Sequence, residues 1–170
     1  MDTPARNVAI LKDAYRQWHD TRGGSTKVWL DLMTDDVKVR SLAAGRPGAA
    51  FTSAINSKEE FKRYFEGLLT EWQMLNYKTG QFIAEGERVA MLGSTAWTNR
   101  TTGRTVDTPK ADFWTFREGK IVEFYELYDT AALLAAAAGA GDRGRAASRG
   151  RPGVLTASGG DRASRGARSP

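Results

Sequence analysis

The stretch from Met74 to Asp129 constrains this chain most, because three turn signals divide it into four strand-length runs. Glu85-Gly86 separates residues 74–84 from 88–99, Thr102-Gly103 separates those from 105–117, and Glu118-Gly119 separates those from 120–129. Turn pairs ending in glycine between extended runs are hairpin signals. Three consecutive hairpins predict a meandering antiparallel sheet, and the remaining elements must cover it.

Those elements are helical. Thr3 can cap a first helix with Pro4 at its first position, where the missing N–H costs nothing. Val8, Leu11, Tyr15 and Trp18 then recur at helical spacing, and Gly23-Gly24 stops the run. A short helix from about Ser25 carries Val28, Trp29, Leu32 and Met33. Asp35-Asp36 reads as a turn and Val37 to Leu42 as a first strand. Residues 43–56 read as a loop. Ser57 and Glu60 form a capping box that opens a helix with Phe61, Tyr64, Phe65, Leu68, Leu69 and Trp72 on one face. Asp129 and Thr130 start an alanine-rich last helix ended by Gly139. The order α-α-β-α-β-β-β-β-α predicts an α+β fold with helices on one side of a sheet.

Strand alternation sorts the carboxyl groups. Asp112 shares a face with Trp114 and Phe116, and Glu126 with Val122, Phe124 and Tyr128. A carboxyl group in an apolar pocket has a raised pKa and can move protons near neutrality. Structural ion pairs of these carboxylates with Lys110 or Arg117 are the other reading. The opposite face, with Leu92, Phe113, Tyr125 and Leu127, is apolar and has no helix left to cover it. Such a face predicts association, so a homodimer is expected.

The segment ADFWTFREGKIVEFYELYD, placed after two hairpins and three helices, resembles the nuclear-transport-factor-2-like superfamily. Its SnoaL-like and ketosteroid-isomerase-like branch is the nearest match, over residues 5 to 138. The resemblance implies a cone: a curved antiparallel sheet wrapped around three N-terminal helices, with a short C-terminal helix and a pocket between them. It also implies a dimer. Ketosteroid isomerases hold an aspartic acid protonated on the third long strand, where it donates to the substrate oxyanion. Asp112 in ADFWTF stands at that position, and Tyr15 matches the partner donor on the first helix; an ordinary core tyrosine is the other reading.

The isomerase base lies on the first strand, where this chain has Ser41. Polyketide cyclases of the branch are similar at GKIVEFYEL, which implies an acid/base role for Glu126. Limonene-type epoxide hydrolases add an Arg and an Asp where this chain has Gly93 and Thr95, so epoxide opening is not expected. His19, near the end of the first helix, reads as a polar surface group or a dehydratase base. Trp97, Trp114, Phe124 and Tyr128 read as pocket lining or as plain core, and with Ser41 they form the expected substrate-contacting set.

The expected function is a cofactor-independent isomerase, cyclase or lyase acting on a small apolar carbonyl or polyketide-like compound. Its catalytic set would be Asp112, Glu126 and Tyr15. A non-catalytic binding or dimerisation module is the alternative, favoured by Ser41 in place of the base. The absence of cysteine excludes thiolate chemistry, and a single histidine argues against a histidine metal cluster while leaving carboxylate sites open; no metal and no cofactor are expected. No apolar run reaches the length of a membrane span, and MDTPARNVAI lacks the layout of a signal peptide, so a cytoplasmic location is expected.

The formal charge of +5 has a single source. Seven arginines and two aspartates from residue 139 onward account for it, while the first 138 residues balance 18 Lys and Arg against 18 Asp and Glu. A neutral domain with a basic appendage lacks the footprint of a nucleic-acid-binding fold. Residues 1–138 are therefore expected to form the domain, and 139–170, rich in Gly, Ala, Ser and Arg, a disordered tail that buries too little to offset its ordering entropy. Truncation after Ala138 should leave the melting temperature nearly unchanged in a calorimetric scan. A drop of several degrees would show that the segment packs on the domain.

Overall fold

A computed structural model describes residues 3–139; the reading of the tail lies, from residue 140 on, outside the described residues. The elements are α1 (Thr3–Asp20), α2 (Thr26–Leu32), β1 (Met33–Ser41), a 3₁₀ turn (Ala50–Thr52), α3 (Lys58–Glu71), β2 (Trp72–Glu85), β3 (Arg88–Asn99), β4 (Thr105–Arg117), β5 (Lys120–Tyr128) and α4 (Thr130–Ala137). This is the expected order. One five-stranded sheet, β1-β5-β4-β3-β2, curves around the N-terminal helices as a cone.

The sheet is mixed rather than wholly antiparallel. Strands β2 to β5 form the predicted meander, but β1 pairs with β5 in parallel, with Val39 opposite Phe124 and Ser41 opposite Glu126. The physical reason lies in the connection. Hairpins force neighbours to alternate, whereas β1 reaches β2 only through a long crossing that includes α3, which imposes no such alternation. Strand β1 also starts earlier than expected. Met33, read as the end of a helix, pairs with Ile121, and a register shift before Lys38 absorbs Asp35-Asp36 inside the strand.

Local chemistry explains the other boundaries. Ser57 Oγ accepts the Glu60 N–H at 3.2 Å, while the Glu60 carboxylate reaches back to the Asn56 N–H at 2.6 Å. The first satisfies a donor that the start of a helix leaves free, and the second ties the residue before the cap to the first turn. Asp129 caps α4 by accepting the Ala132 N–H at 2.9 Å. Glu118 and Gly119 both have positive φ, the conformation of a tight hairpin turn between twisted strands.

The concave face holds the core. Leu11, Tyr15 and Trp18 of α1 and Phe61, Tyr64 and Phe65 of α3 are buried against Val89, Met91, Trp97, Trp114, Phe116 and Phe124 of the sheet. Burying one such apolar side chain contributes roughly 1.5–3 kcal/mol. Strand β2 is bent by register shifts between Met74 and Asn76 and between Thr79 and Gln81. At the second, Gly93 lies so close to β2 that a Cβ would stand 2.1 Å from the Lys78 carbonyl oxygen. The backbone approach excludes any side chain there.

Candidate active site

Strand β4 turns Thr108, Lys110, Asp112 and Trp114 inward, and β5 turns Phe124 and Glu126 inward beside them. The antiparallel register sets Asp112 directly opposite Glu126 and Lys110 opposite Tyr128. Two carboxyl groups and one ammonium therefore meet on one patch of sheet, in a cavity closed by α1, α2 and α3. The cavity is walled by Tyr15, Trp18, Trp29, Phe61, Tyr64 and Trp97 among others.

Lys110 holds the centre. Its Nζ donates to Glu126 Oε2 at 2.5 Å and lies 3.2 Å from Asp112 Oδ1. The ion-pair reading of Lys110 is thus correct, and the pairing takes place inside the pocket. Tyr15 and Tyr77 both donate to Asp112 Oδ2, at 2.6 and 2.5 Å. Trp114 Nε1 donates to the Tyr15 hydroxyl at 2.9 Å, and Tyr64 donates to Glu126 Oε1 at 3.0 Å. Asp112 is fully buried and Glu126 is 3% exposed, so water does not relieve these charges.

Burial pushes the Asp112 carboxyl above its ordinary range; Lys110 opposes that shift, and Glu126 adds to it. Burial alone would push Lys110 down, but Asp112 and then Glu126 outweigh it, and the ammonium is held above its usual value. Tyr15, Tyr64 and Tyr77 are pushed well above the ordinary phenol range by burial and then by the adjacent carboxylate. Tyr128 is pushed up to about 12, again by burial first. The tyrosines are therefore neutral hydrogen-bond donors at physiological pH.

Of the expected residues, Tyr15, Trp97, Asp112, Trp114, Phe124, Glu126 and Tyr128 all line the cavity. Trp114 stacks on Phe124 at 3.9 Å and on Trp29 at 5.1 Å between ring centres, forming a continuous aromatic wall. Ser41 does not line it. Ser41 Oγ hydrogen-bonds the Tyr128 hydroxyl at 2.7 Å from behind. His19 also lies outside the lining: its Nδ1 accepts the Tyr77 N–H at 3.2 Å, which ties α1 to β2. Thr95 accepts from Trp97 Nε1 at 2.6 Å and donates to the Asn76 carbonyl, so its hydroxyl holds the bend of β2. Among the described residues, no three His, Cys, Asp or Glu side chains are grouped so as to hold a metal ion.

Sequence reasoning missed Tyr77, Tyr64 and Trp29. Lys110 carried a usable signal, since Lys110-x-Asp112 on one strand faces Glu126-x-Tyr128 on the next.

The charges make a stability prediction with a definite sign. Lys110 has a raised folded pKa, so its contribution is complete below the ordinary lysine value of 10.5 and is lost only above it. Asp112 is also raised, so the folded state binds its proton more tightly than the unfolded state. Stability from that group is greatest below 3.8 and falls as pH rises towards the raised value. Lys110→Met strands both carboxyls and should cost about 3–5 kcal/mol at neutral pH. Part of that loss should return as the pH is lowered from neutral and Asp112, raised by burial, takes up its proton. Urea midpoints measured across this range check it; a deficit that does not change with pH contradicts the assignment.

Comparison with known proteins places the fold. The SnoaL-like domain profile matches residues 13–124, a span that ends two residues before Glu126. An NTF2-like protein from Burkholderia pseudomallei superimposes with a TM-score of 0.68 at 21% identity, covering 77% of this chain and 96% of its own. A SnoaL-like protein from a Jannaschia species, provisionally assigned as a polyketide cyclase, gives 0.66 at 16% identity, covering 80% and 94%. TerC, crystallised with polyporic acid, gives 0.67 at 21% identity, covering 78% and 98%. No protein of curated function matches by sequence. With its cone, its aromatic pocket and a matching profile over most of the domain, the chain belongs to the SnoaL-like family, of NTF2-like and ketosteroid-isomerase-like fold.

Proposed function

We propose that the protein is an acid/base enzyme that needs no cofactor and acts on a small, largely apolar carbonyl or polyketide-like compound, as an isomerase, cyclase or lyase. The observation that carries this reading is the Asp112–Lys110–Glu126 cluster at the floor of an aromatic cavity. Glu126 would take the proton from a carbon next to the substrate carbonyl. The C–H bond breaks, its electron pair moves into a new C=C bond, and the carbonyl oxygen becomes an oxyanion. Return of the proton to a different carbon gives isomerisation, and attack of the enolate carbon on a second carbonyl gives cyclisation. Two hydrogen bonds to Glu126 leave lone pairs on both oxygens, so accepting a proton needs no prior rupture of the network. Two structures of the same fold, the provisionally assigned polyketide cyclase and TerC crystallised with polyporic acid, agree with a ligand of this kind.

The second reading, a binding module without turnover, draws support from Ser41. The two carboxylates of the first strand, Asp35 and Asp36, do not line the cavity, and Ser41 is engaged with Tyr128. The two readings separate in one experiment. Phenols, enones and cyclic ketones are screened by thermal shift, which reports any ligand that prefers the folded state. Glu126→Gln keeps the shape and most of the hydrogen bonding, so binding should persist while turnover falls by about 10²–10⁴-fold. Unchanged turnover in that variant removes Glu126 from the chemistry.

We also infer a homodimer through the outer face of the sheet. Leu92, Ala111 and Leu127 lie in one row across β3, β4 and β5, and Phe113 lies opposite Tyr125 in the neighbouring row. Leu92, Phe113 and Tyr125 are each more than 40% exposed. An apolar patch of this kind is an association surface. Sedimentation at micromolar concentration should give a dimer, and Phe113→Lys a folded monomer. A monomeric wild type contradicts the inference.

A further inference from the structure

The donors of the site are unequally committed. A phenol hydroxyl has one proton, and those of Tyr15 and Tyr77 are both directed to Asp112 Oδ2. The Tyr15 oxygen accepts from Trp114, which fixes the direction in which its proton points. Tyr64 is committed to Glu126 in the same way. An ammonium carries three protons, and Lys110 directs one hydrogen bond to Glu126 Oε2. Two further protons remain on an ammonium that lines the cavity, 5.1 Å from the centre of the Tyr128 ring. Beside them, Asp112 Oδ1 is fully buried and no protein group meets it in hydrogen-bond alignment, although the ammonium lies 3.2 Å from it.

We propose that the oxygen of the ligand binds between Lys110 Nζ and Asp112 Oδ1, and that Lys110, not Tyr15, is the second donor of the oxyanion pocket. The inference rests on the acid/base reading above and narrows its substrate class. A permanent cation at the oxygen favours compounds whose oxygen carries a full negative charge in the intermediate, such as enolates and phenolates of polyketide-like rings. Asp112 is arranged to donate from Oδ1, because both lone-pair directions of Oδ2 already receive tyrosine protons. Lys110 keeps its proton throughout. The proton lost by the substrate carbon goes to Glu126, and the charge that develops on oxygen is met by two preorganised donors in a cavity with little water. Tyr15 and Tyr77 act through Asp112 and are positioning residues. A tyrosine-based oxyanion pocket would need Tyr15 to release Asp112, leaving Tyr77 as the one tyrosine donor to Oδ2.

The test uses the full chain and a nitrophenol whose absorbance distinguishes phenol from phenolate. Wild type should bind it ionised, with an apparent pKa below that of the free phenol, because the adjacent cation outweighs desolvation. Lys110→Met should weaken phenolate binding by about tenfold or more and return the bound pKa to or above the free value. Tyr15→Phe should lose clearly less and keep the lowered pKa. Lys110→Arg, which retains the charge, should also keep it. Loss in Tyr15→Phe equal to or greater than in Lys110→Met overturns the assignment of Lys110, while Glu126→Gln turnover still decides the acid/base reading by itself. If Lys110→Met does not fold, the wild-type titration decides: a bound pKa equal to or above that of the free phenol overturns the proposal. Failure of wild type to bind any phenol or enone defeats both readings together.

Discussion

Two carboxyl groups buried opposite each other on neighbouring strands need a cation between them, and Lys110 is that cation. Its position follows from strand geometry. Two residues before Asp112 on the same strand, it shares the inward face, and the β4–β5 register brings Glu126 within reach. A slip of one residue would turn Lys110, Asp112 and Trp114 outward together and drive Phe113 and Ala111 into the cavity. The ion cluster and the aromatic wall therefore specify the same register. Such clusters often add little net stability compared with apolar residues of the same size, because desolvation consumes the Coulombic gain. Keeping one at the floor of a pocket makes chemical sense, since it provides groups able to hold and move protons where little water competes.

The tyrosines show how the site differs from what its family suggests. The resemblance places a tyrosine beside the aspartic acid as a second donor to the substrate, and Tyr15 does stand beside Asp112. It donates to Asp112 Oδ2 at 2.6 Å, and Tyr77 does the same from the other side. The pair holds the carboxyl rigidly and leaves its other oxygen turned towards Lys110. The fold itself carries little information about the reaction, since SnoaL-like and NTF2-like cones serve unrelated chemistries. The side chains on the inner faces of β4 and β5 carry it instead.

How much the sequence revealed depended on whether a residue's face followed from simple alternation. Asp112 and Glu126 stand on regular stretches of strand, so two-residue alternation put them among aromatic neighbours, as observed. Tyr77 lies beyond a register shift between Met74 and Asn76, and alternation counted from the start of β2 does not carry through that bulge. Tyr64 belongs to a strong apolar stripe on α3, where nothing separates a core tyrosine from one whose hydroxyl reaches a carboxylate 62 residues away. The parallel pairing of β1 was hidden for another reason. Hairpin turns write their direction into the sequence, whereas a crossing that includes a helix does not. Ser41 was placed on the right strand, but that it stands behind Tyr128 depends on side-chain geometry, which the sequence does not display.

The proposed chemistry requires an Asp112 carboxyl that burial makes a weaker acid while its oxygens are divided between tyrosine donors and the lysine. A carbon-detected NMR titration of the carboxyl groups in protein labelled at aspartate, with the Asp112 signal assigned by its loss in Asp112→Asn, measures this directly. The account predicts a transition for Asp112 clearly above the ordinary 3.8 in wild type. It predicts a still higher transition in Lys110→Met, where the stabilising cation is gone. A wild-type transition at or below 3.8 would make Asp112 a plain structural ion-pair partner and contradict the proton-handling site.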